Sequence, residues 1–400
     1  MSETFDPKVF VDAEVERTKK SISKDKALVA VSGGVDSTTC AVLTHRAMGN
    51  NLVCAILDDA FMREGEPEHV AKVLSEPPFN VPMKIVDVRD RFQHAMKGLR
   101  DAEEKRKMFR ATFYEVLSET ARKEGCKILV QGTIRADIME TVSGIKTQHN
   151  VLEQVGIDTM ESFGFKVVEP LVALFKEQVR TVARYLALPK EFSERQPFPG
   201  PGLSVRVVGE IMADKLETVK KATAIVESEL AKLKPSQYFA VILDDEASEE
   251  AKTARLQETA ARLLNVPSRS VEAKIFRDKA TGVERGKRRY GDIVGLKVQA
   301  VGGQLHQAAV PNVVALQAKI ITENPAITRV FYAIKDSGEK KPYVVGIRAV
   351  QTRDFLTASV SEIPWSTLND TAVKIVEKCP KVSSVYYDVT PKPPATIEME

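Results

Sequence analysis

The string Ser32-Gly33-Gly34-Val35-Asp36-Ser37 holds the residue types of an anion site. Gly33 and Gly34 let the backbone approach a ligand closely and take angles that other residues resist. Residues 27–31 form an apolar run that reads as a buried strand, and a helical pattern through Ala41, Val42, Leu43 and Ala47 follows. Strand, glycine turn and helix aim the turn N–H groups and the positive helix end at one spot. Ser32 and Ser37 add hydroxyl donors. The chemistry suits phosphate, although a Gly-Gly turn alone is also compatible with a plain strand–helix connection. It is not a Walker loop, because no Lys follows the glycines at the required spacing.

Further carboxylates end other apolar runs. Residues 52–57 read as a second buried strand ending in Asp58-Asp59. That end is the ligand face of an open α/β sheet, unless the pair is a solvated turn. Residues 127–131 read as another strand, running into Gly132-Thr133. Asp137 and Glu140 follow, three apart and on one face of a helical turn, with Lys146 nearby. Such carboxylates and a Lys beside a phosphate site suit magnesium and pyrophosphate stabilisation. Acids decorating a helix N-terminus are the plainer alternative.

The elements that must carry these residues follow a regular rhythm. Strands at 27–31, 52–57, 83–88, 127–131 and 166–168 alternate with helical patterns, including 66–74 and 175–186, behind a leading helix at 7–20. The expected fold class is α/β, a doubly wound parallel five-stranded sheet over residues 1–205. The segment holding Pro197, Pro199, Gly200, Pro201 and Gly202 is neither helix nor central strand. It reads as a rigid extended loop, an interdomain linker, or both. Residues 206–235 read as a connecting helix. Beyond them lies an internal echo: residues 325–334 match 380–389, and 294–298 match 345–349. Each copy reads strand, helix, strand, so a duplicated small α+β domain is expected, with modules at 236–340 and 341–400.

Composition bounds the rest. The chain has 400 residues and a formal net charge of +3, which makes no case for a nucleic-acid partner. Cys40, Cys54, Cys126 and Cys379 form no Cys-x-x-Cys pair. There is thus no zinc pair or redox motif, and no disulfide framework is expected, which fits a reducing, cytoplasmic setting. There is no signal-like apolar core at the start and no run long enough to span a membrane, so no membrane association is expected.

The string at 32–37 resembles the loop of the ATP pyrophosphatases. With residues 103–107, 131–140, 145–151, 168–171, Pro197-Phe198-Pro199-Gly200-Pro201-Gly202-Leu203, 347–358 and Lys392-Pro393-Pro394-Ala395-Thr396-Ile397-Glu398, the chain resembles the ATP-pyrophosphatase part of the GMP synthetases from end to end. The resemblance implies that Mg-ATP adenylates XMP, pyrophosphate leaves, and ammonia displaces AMP to give GMP. ATP and Mg2+ are then the cofactors. Residues 32–37 would hold pyrophosphate, with Asp36 as a catalytic residue, and Asp58, Gly132 and Thr133 would sit at the nucleotide. Asp36, Asp137 and Glu140 would hold the metal, and Lys146 would belong to a mobile catalytic lid. Arg195, Pro199, Gly200 and Gly202 would line the nucleobase pocket, and Lys392 and Glu398 would reach the XMP phosphate and its surroundings. Arg348 matches an arginine of the dimerisation domain.

No Cys sits in a nucleophile turn and no His-x-Glu is present, so ammonia is expected from a separate glutaminase subunit or free from solution. The tandem modules predict either a homodimer or a pseudo-dimeric monomer. The sequence departs from the family pattern at Asp59-Ala60, Ala136, Gln148, Gln196 and Met399. Several of these lie near the expected acceptor. A ligase acting on another carbonyl, and a paralogue that binds nucleotide without turnover, therefore stay open.

Overall fold

The structure is a computed structural model and describes residues 5–142, 159–248, 253–300, 302–353 and 356–400. The chain forms two compact units, Met1–Ala95 with Lys107–Gly200, and Met96–Arg106 with Pro201–Glu400. Among the described residues no helix is long and apolar enough to cross a membrane.

In the first unit the strands are β1 (Ala27–Ala30), β2 (Leu52–Asp58), β3 (Met83–Asp87), β4 (Ile128–Val130) and β5 (Lys166–Val168). All neighbours are parallel, in the order β3-β2-β1-β4-β5. The central strand β1 is apolar because it is covered on both faces: Ala27, Leu28 and Val29 are fully buried. Helices α1 (Pro7–Ile22), α2 (Val35–Met48) and α8 (Lys176–Tyr185) contribute Val11, Leu43 and Val182 to one apolar core with β1 and β2. The remaining helices are α3 (Glu66–Ser75), α4 (Arg89–Met96), α5 (Ala102–Glu124), α6 (Arg135–Val142), α7 (Thr159–Phe163) and α9 (Lys190–Ser193), with Met96 and the residues of α5 up to Arg106 belonging to the second unit. Asp6 starts α1 by accepting from the Lys8 N–H at 2.8 Å, an N-cap that precedes Pro7.

The second unit is a mixed sheet with helices. Its strands are β6 (Gln237–Asp244), β7 (Val271–Glu284), β8 (Lys287–Val298), β9 (Ile327–Asp336), β10 (Tyr343–Gln351), β11 (Ser359–Val360) and β12 (Val382–Asp388). They run in the order β11-β10-β12-β9-β8-β7, with β6 also on β10. Helices α10 (Ala213–Leu230), α11 (Ala254–Leu264), α12 (Val310–Glu323) and α13 (Trp365–Lys378) complete it.

The echoing stretches fall on β8 and β10, and on β9 and β12. Each pair, β8 with β9 and β10 with β12, is parallel and joined by one helix, and the pairs meet antiparallel at β9 and β12. The shared glycine of the echo has a packing cause. A Cβ on Gly295 would lie 2.8 Å from the Phe276 ring, and one on Gly346 would lie 2.8 Å from the Phe331 ring.

Candidate active site

Strand order reverses direction between β1 and β4, so the loops leaving those strands meet at the carboxyl edge of the sheet. The loop after β1 is stapled by its own serines. The Ser32 N–H donates to Ser37 Oγ at 3.1 Å, and that hydroxyl donates to the Gly34 carbonyl at 3.2 Å. Since the Ser37 proton is then committed, Ser32 Oγ, 2.9 Å away, is the donor between the two hydroxyls. The serines thus shape the loop. Gly34 caps α2 without any side-chain hydrogen bond, which leaves first-turn N–H groups for an anion.

Two glycines are required by space. Gly33 has φ +73°, the left-handed region. A Cβ on Gly132, beyond β4, would lie 2.9 Å from the Asp36 carbonyl carbon and 3.0 Å from the Ser37 nitrogen. The β4 loop therefore packs directly on the phosphate loop, and Thr133 beside it is fully buried.

Asp36 stands in the first turn of α2. Its Oδ2 pairs with Lys176 Nζ at 2.6 Å, from the first residue of α8. Its Oδ1 is shut off from solvent and has no hydrogen-bond partner. Burial pushes the Asp36 carboxyl above the usual carboxylate range; Lys176 pulls it back, Asp137 adds to the rise and Arg180 opposes it. Asp137 caps its own helix, accepting the Ile134 N–H at 3.0 Å. Glu140 lies one turn further along α6. Among the described residues no cluster of three or more metal-ligating side chains occurs. Two carboxylates with an orphaned oxygen nevertheless match a hard cation that takes its remaining ligands from phosphates and water. Lys146, Gln148 and the rest of 143–158 lie outside the described residues.

Asp58 ends β2, as its strand reading predicts. Its Oδ1 accepts the Ala60 N–H at 3.2 Å, and Arg89 lies 3.5 Å from Oδ2. Arg195 donates to the Gly33 carbonyl at 3.3 Å and forms an ion pair with Glu66. Pro199 and Gly200 close this unit.

Gly202, Arg348, Lys392 and Glu398 belong to the second unit. Gly202 opens a short 3-10 turn over Gly202–Val205. Arg348 is fully buried. It donates to the carbonyls of Thr396 at 2.9 Å and Ile397 at 3.2 Å, and lies 3.1 Å from Asp388, which Arg329 also contacts at 2.9 Å. Its visible work is to hold the tail. Glu398 accepts two bonds of 3.0 Å from the buried guanidinium of Arg206. Lys392 is held by its backbone, which exchanges hydrogen bonds of 2.8 and 2.9 Å with Ala358.

Lys176, Glu66 and Arg63 do not figure among the sequence-derived site residues. None carries a local signal: Glu66 and Lys176 each open a helix as any charged residue might, and Arg63 lies in the loop before one.

The profile of the "PP-loop domain" family matches residues 7–189, and that of the "GMP synthase C terminal domain" matches residues 335–399. One subunit of the glutamine-hydrolyzing GMP synthase of Sulfurisphaera tokodaii is 43% identical over 397 residues, covering 99% of this chain and 100% of that protein. The corresponding GMP synthase subunit of Methanopyrus kandleri is 39% identical over 396 residues, again 99% and 100% of the two chains. The solved NMN synthetase of Francisella tularensis aligns at 18% identity and a TM-score of 0.39 over 50% of this chain and 79% of that one, a likeness too partial to carry a conclusion. With end-to-end identity to these relatives and both family profiles in order, the chain belongs to the family of these GMP synthase subunits.

Proposed function

We propose that this chain is the ATP-dependent C–N ligase of GMP synthesis, working beside a separate glutaminase. The XMP base oxygen attacks the α-phosphorus of ATP, the bond to pyrophosphate breaks, and ammonia then adds at the activated carbon and expels AMP. The observation that carries the reading is the phosphate loop at the switch point, with Asp36 in its helix turn. Its N–H groups face where pyrophosphate charge develops, and Lys176 brings a cation to the same place. Asp36 and Asp137, with Glu140 in the same helix, are the candidates to hold Mg2+, which when bound neutralises the charge of the phosphates. The orphaned Asp36 Oδ1 supports that assignment. Arg195, Pro199 and Gly200 are the candidates for the nucleobase side, and Lys392 with Glu398 for the acceptor phosphate and its surroundings.

A separate source of ammonia is supported by the relatives, each of which is one subunit of a glutamine-hydrolyzing enzyme. All four cysteines are buried free thiols, which agrees with a cytoplasmic setting. The test is pyrophosphate release from Mg-ATP by the purified chain. Multiple-turnover release that requires both XMP and ammonium, and that glutamine does not replace, is expected. Equal release without XMP, or with glutamine in place of ammonium, overturns the reading.

A further inference from the structure

Glu66 opens α3 yet is only 6% exposed. A buried carboxylate is costly unless it is paired and hydrogen-bonded. Here the partners come from segments that are far apart in sequence. Glu66 Oε2 accepts the Arg63 N–H at 2.9 Å, and the Arg63 guanidinium lies 3.6 Å from Oε1. The Arg195 guanidinium forms an ion pair with the same Oε1. Arg195 also donates to the Gly33 carbonyl at 3.3 Å, and Arg63 lies 4.1 Å from the centre of the Phe198 ring. Space around Gly33 is equally committed: a Cβ there would lie 3.3 Å from Glu66 Oε1, 3.3 Å from the Arg195 guanidinium and 2.8 Å from Val70.

One carboxylate therefore stands behind three things: the carbonyl side of the phosphate loop, the guanidinium of Arg195, and the arginine that carries Phe198. We infer that Glu66 is a positioning residue that couples the phosphate loop to the 195–200 loop, so that ATP and the acceptor are aligned together. The inference rests on the proposed function for the identity of the acceptor. Glu66 touches no reacting atom. It acts through Arg195 and Arg63, whose planar guanidinium groups hold direction as well as charge.

The test compares the wild type with Glu66→Gln, Arg195→Ala and the double variant in XMP- and ammonium-dependent pyrophosphate release. Glu66→Gln keeps the shape and removes the charge. The KM values for ATP and for XMP are both expected to rise, each by about fivefold or more. The double variant is expected to be no worse than Arg195→Ala alone, because the two residues act as a unit. A Glu66→Gln enzyme with either KM unchanged, or losses that multiply in the double variant, overturns the inference. If Glu66→Gln does not fold, Arg195→Ala carries the same test from the other end: both KM values should rise, and a rise in only one overturns it. Binding of Mg-ATP followed by thermal shift needs no turnover. There Glu66→Gln should weaken ATP by a similar factor even if the wild type fails to use XMP, and an unchanged affinity rejects the coupling. Failure of the wild type with XMP would reject the proposed acceptor instead.

Discussion

Lys176 Nζ stands 2.6 Å from Asp36 Oδ2, so the cation that a Walker loop carries beside its glycines reaches this loop from a helix 140 residues further along the chain. Lys176→Ala should lower pyrophosphate release on the order of 10²-fold, the usual scale for losing one preorganised charge at a developing anion. Its side chain is 35% exposed, so the fold should survive. Steady-state kinetics with a parallel circular-dichroism melt checks both statements; retention of full turnover would remove Lys176 from the site.

Asp36 should show the opposite sign in stability and in function. Burial holds its carboxyl above the ordinary range, so the folded chain binds that proton more readily than the unfolded chain does. Stability contributed by this group is then lost as pH rises through the ordinary aspartate range towards the folded value. At pH 7 the ionised carboxylate is a cost. Asp36→Asn should abolish pyrophosphate release while leaving the thermal midpoint at pH 7 equal or higher. Below the ordinary aspartate range, where both states are protonated, any gain should disappear. A lower midpoint at pH 7 would contradict this sign.

Gly132→Ala tests the contact between the two loops of the switch point. The added methyl meets the Asp36 and Ser37 backbone at 2.9 to 3.0 Å, atoms that cannot rotate away. The phosphate loop must shift. The KM for ATP should rise about tenfold, equivalent to about 1.4 kcal/mol, with the KM for the acceptor changed less.

Much of this site is legible in the sequence because its core is local. The 32–37 string carries its own turn and helix start, and strand ends at Asp58 and Gly132 follow from apolar runs that stop abruptly. Lys176 and Glu66 are not legible for the same reason in reverse. Each looks like an ordinary charged residue opening a helix, and only the parallel sheet brings it to the phosphate loop. The second unit repeats the pattern. The echo places β8, β9, β10 and β12, but nothing local says that β6, some hundred residues earlier, pairs along β10 from Tyr343 to Val350. Nor does a linear reading place Met96–Arg106 with the second unit, where Lys105 forms a buried pair with Glu400 at 2.5 Å.

Arg348 offers a test of the tail. Removing it strands Asp388 in a fully buried place and releases the Thr396 and Ile397 carbonyls. Breaking a buried pair from one side costs about 3–5 kcal/mol, partly relieved here by Arg329. Arg348→Ala should lower the denaturation midpoint and make residues 390–400 more sensitive to limited proteolysis. A tail as resistant as that of the wild type would show that Arg329 holds it alone.

Asp214 predicts acid sensitivity in the second unit. The Lys381 ammonium donates to it at 2.7 Å and the Tyr343 hydroxyl at 2.9 Å. The hydrogen bond from Lys381 is the main reason that its carboxyl lies below the usual range. A depressed carboxyl contributes stability above its ordinary value, lost as pH falls through the folded one. Asp214→Asn should therefore be less stable than the wild type at pH 7 by a small margin, since the pair is half-exposed. Urea melts should converge as pH drops below the ordinary aspartate range.

The antiparallel seam between β9 and β12 has a consequence beyond architecture. Two strand–helix–strand halves that separate chains would have to find by collision are tethered here, so their pairing is insensitive to dilution. Tethering also breaks the equality that two identical partners enforce. One half can keep the tail that follows Asp388, while the other, which turns at Gly338 straight into β10, is released from that duty and can drift.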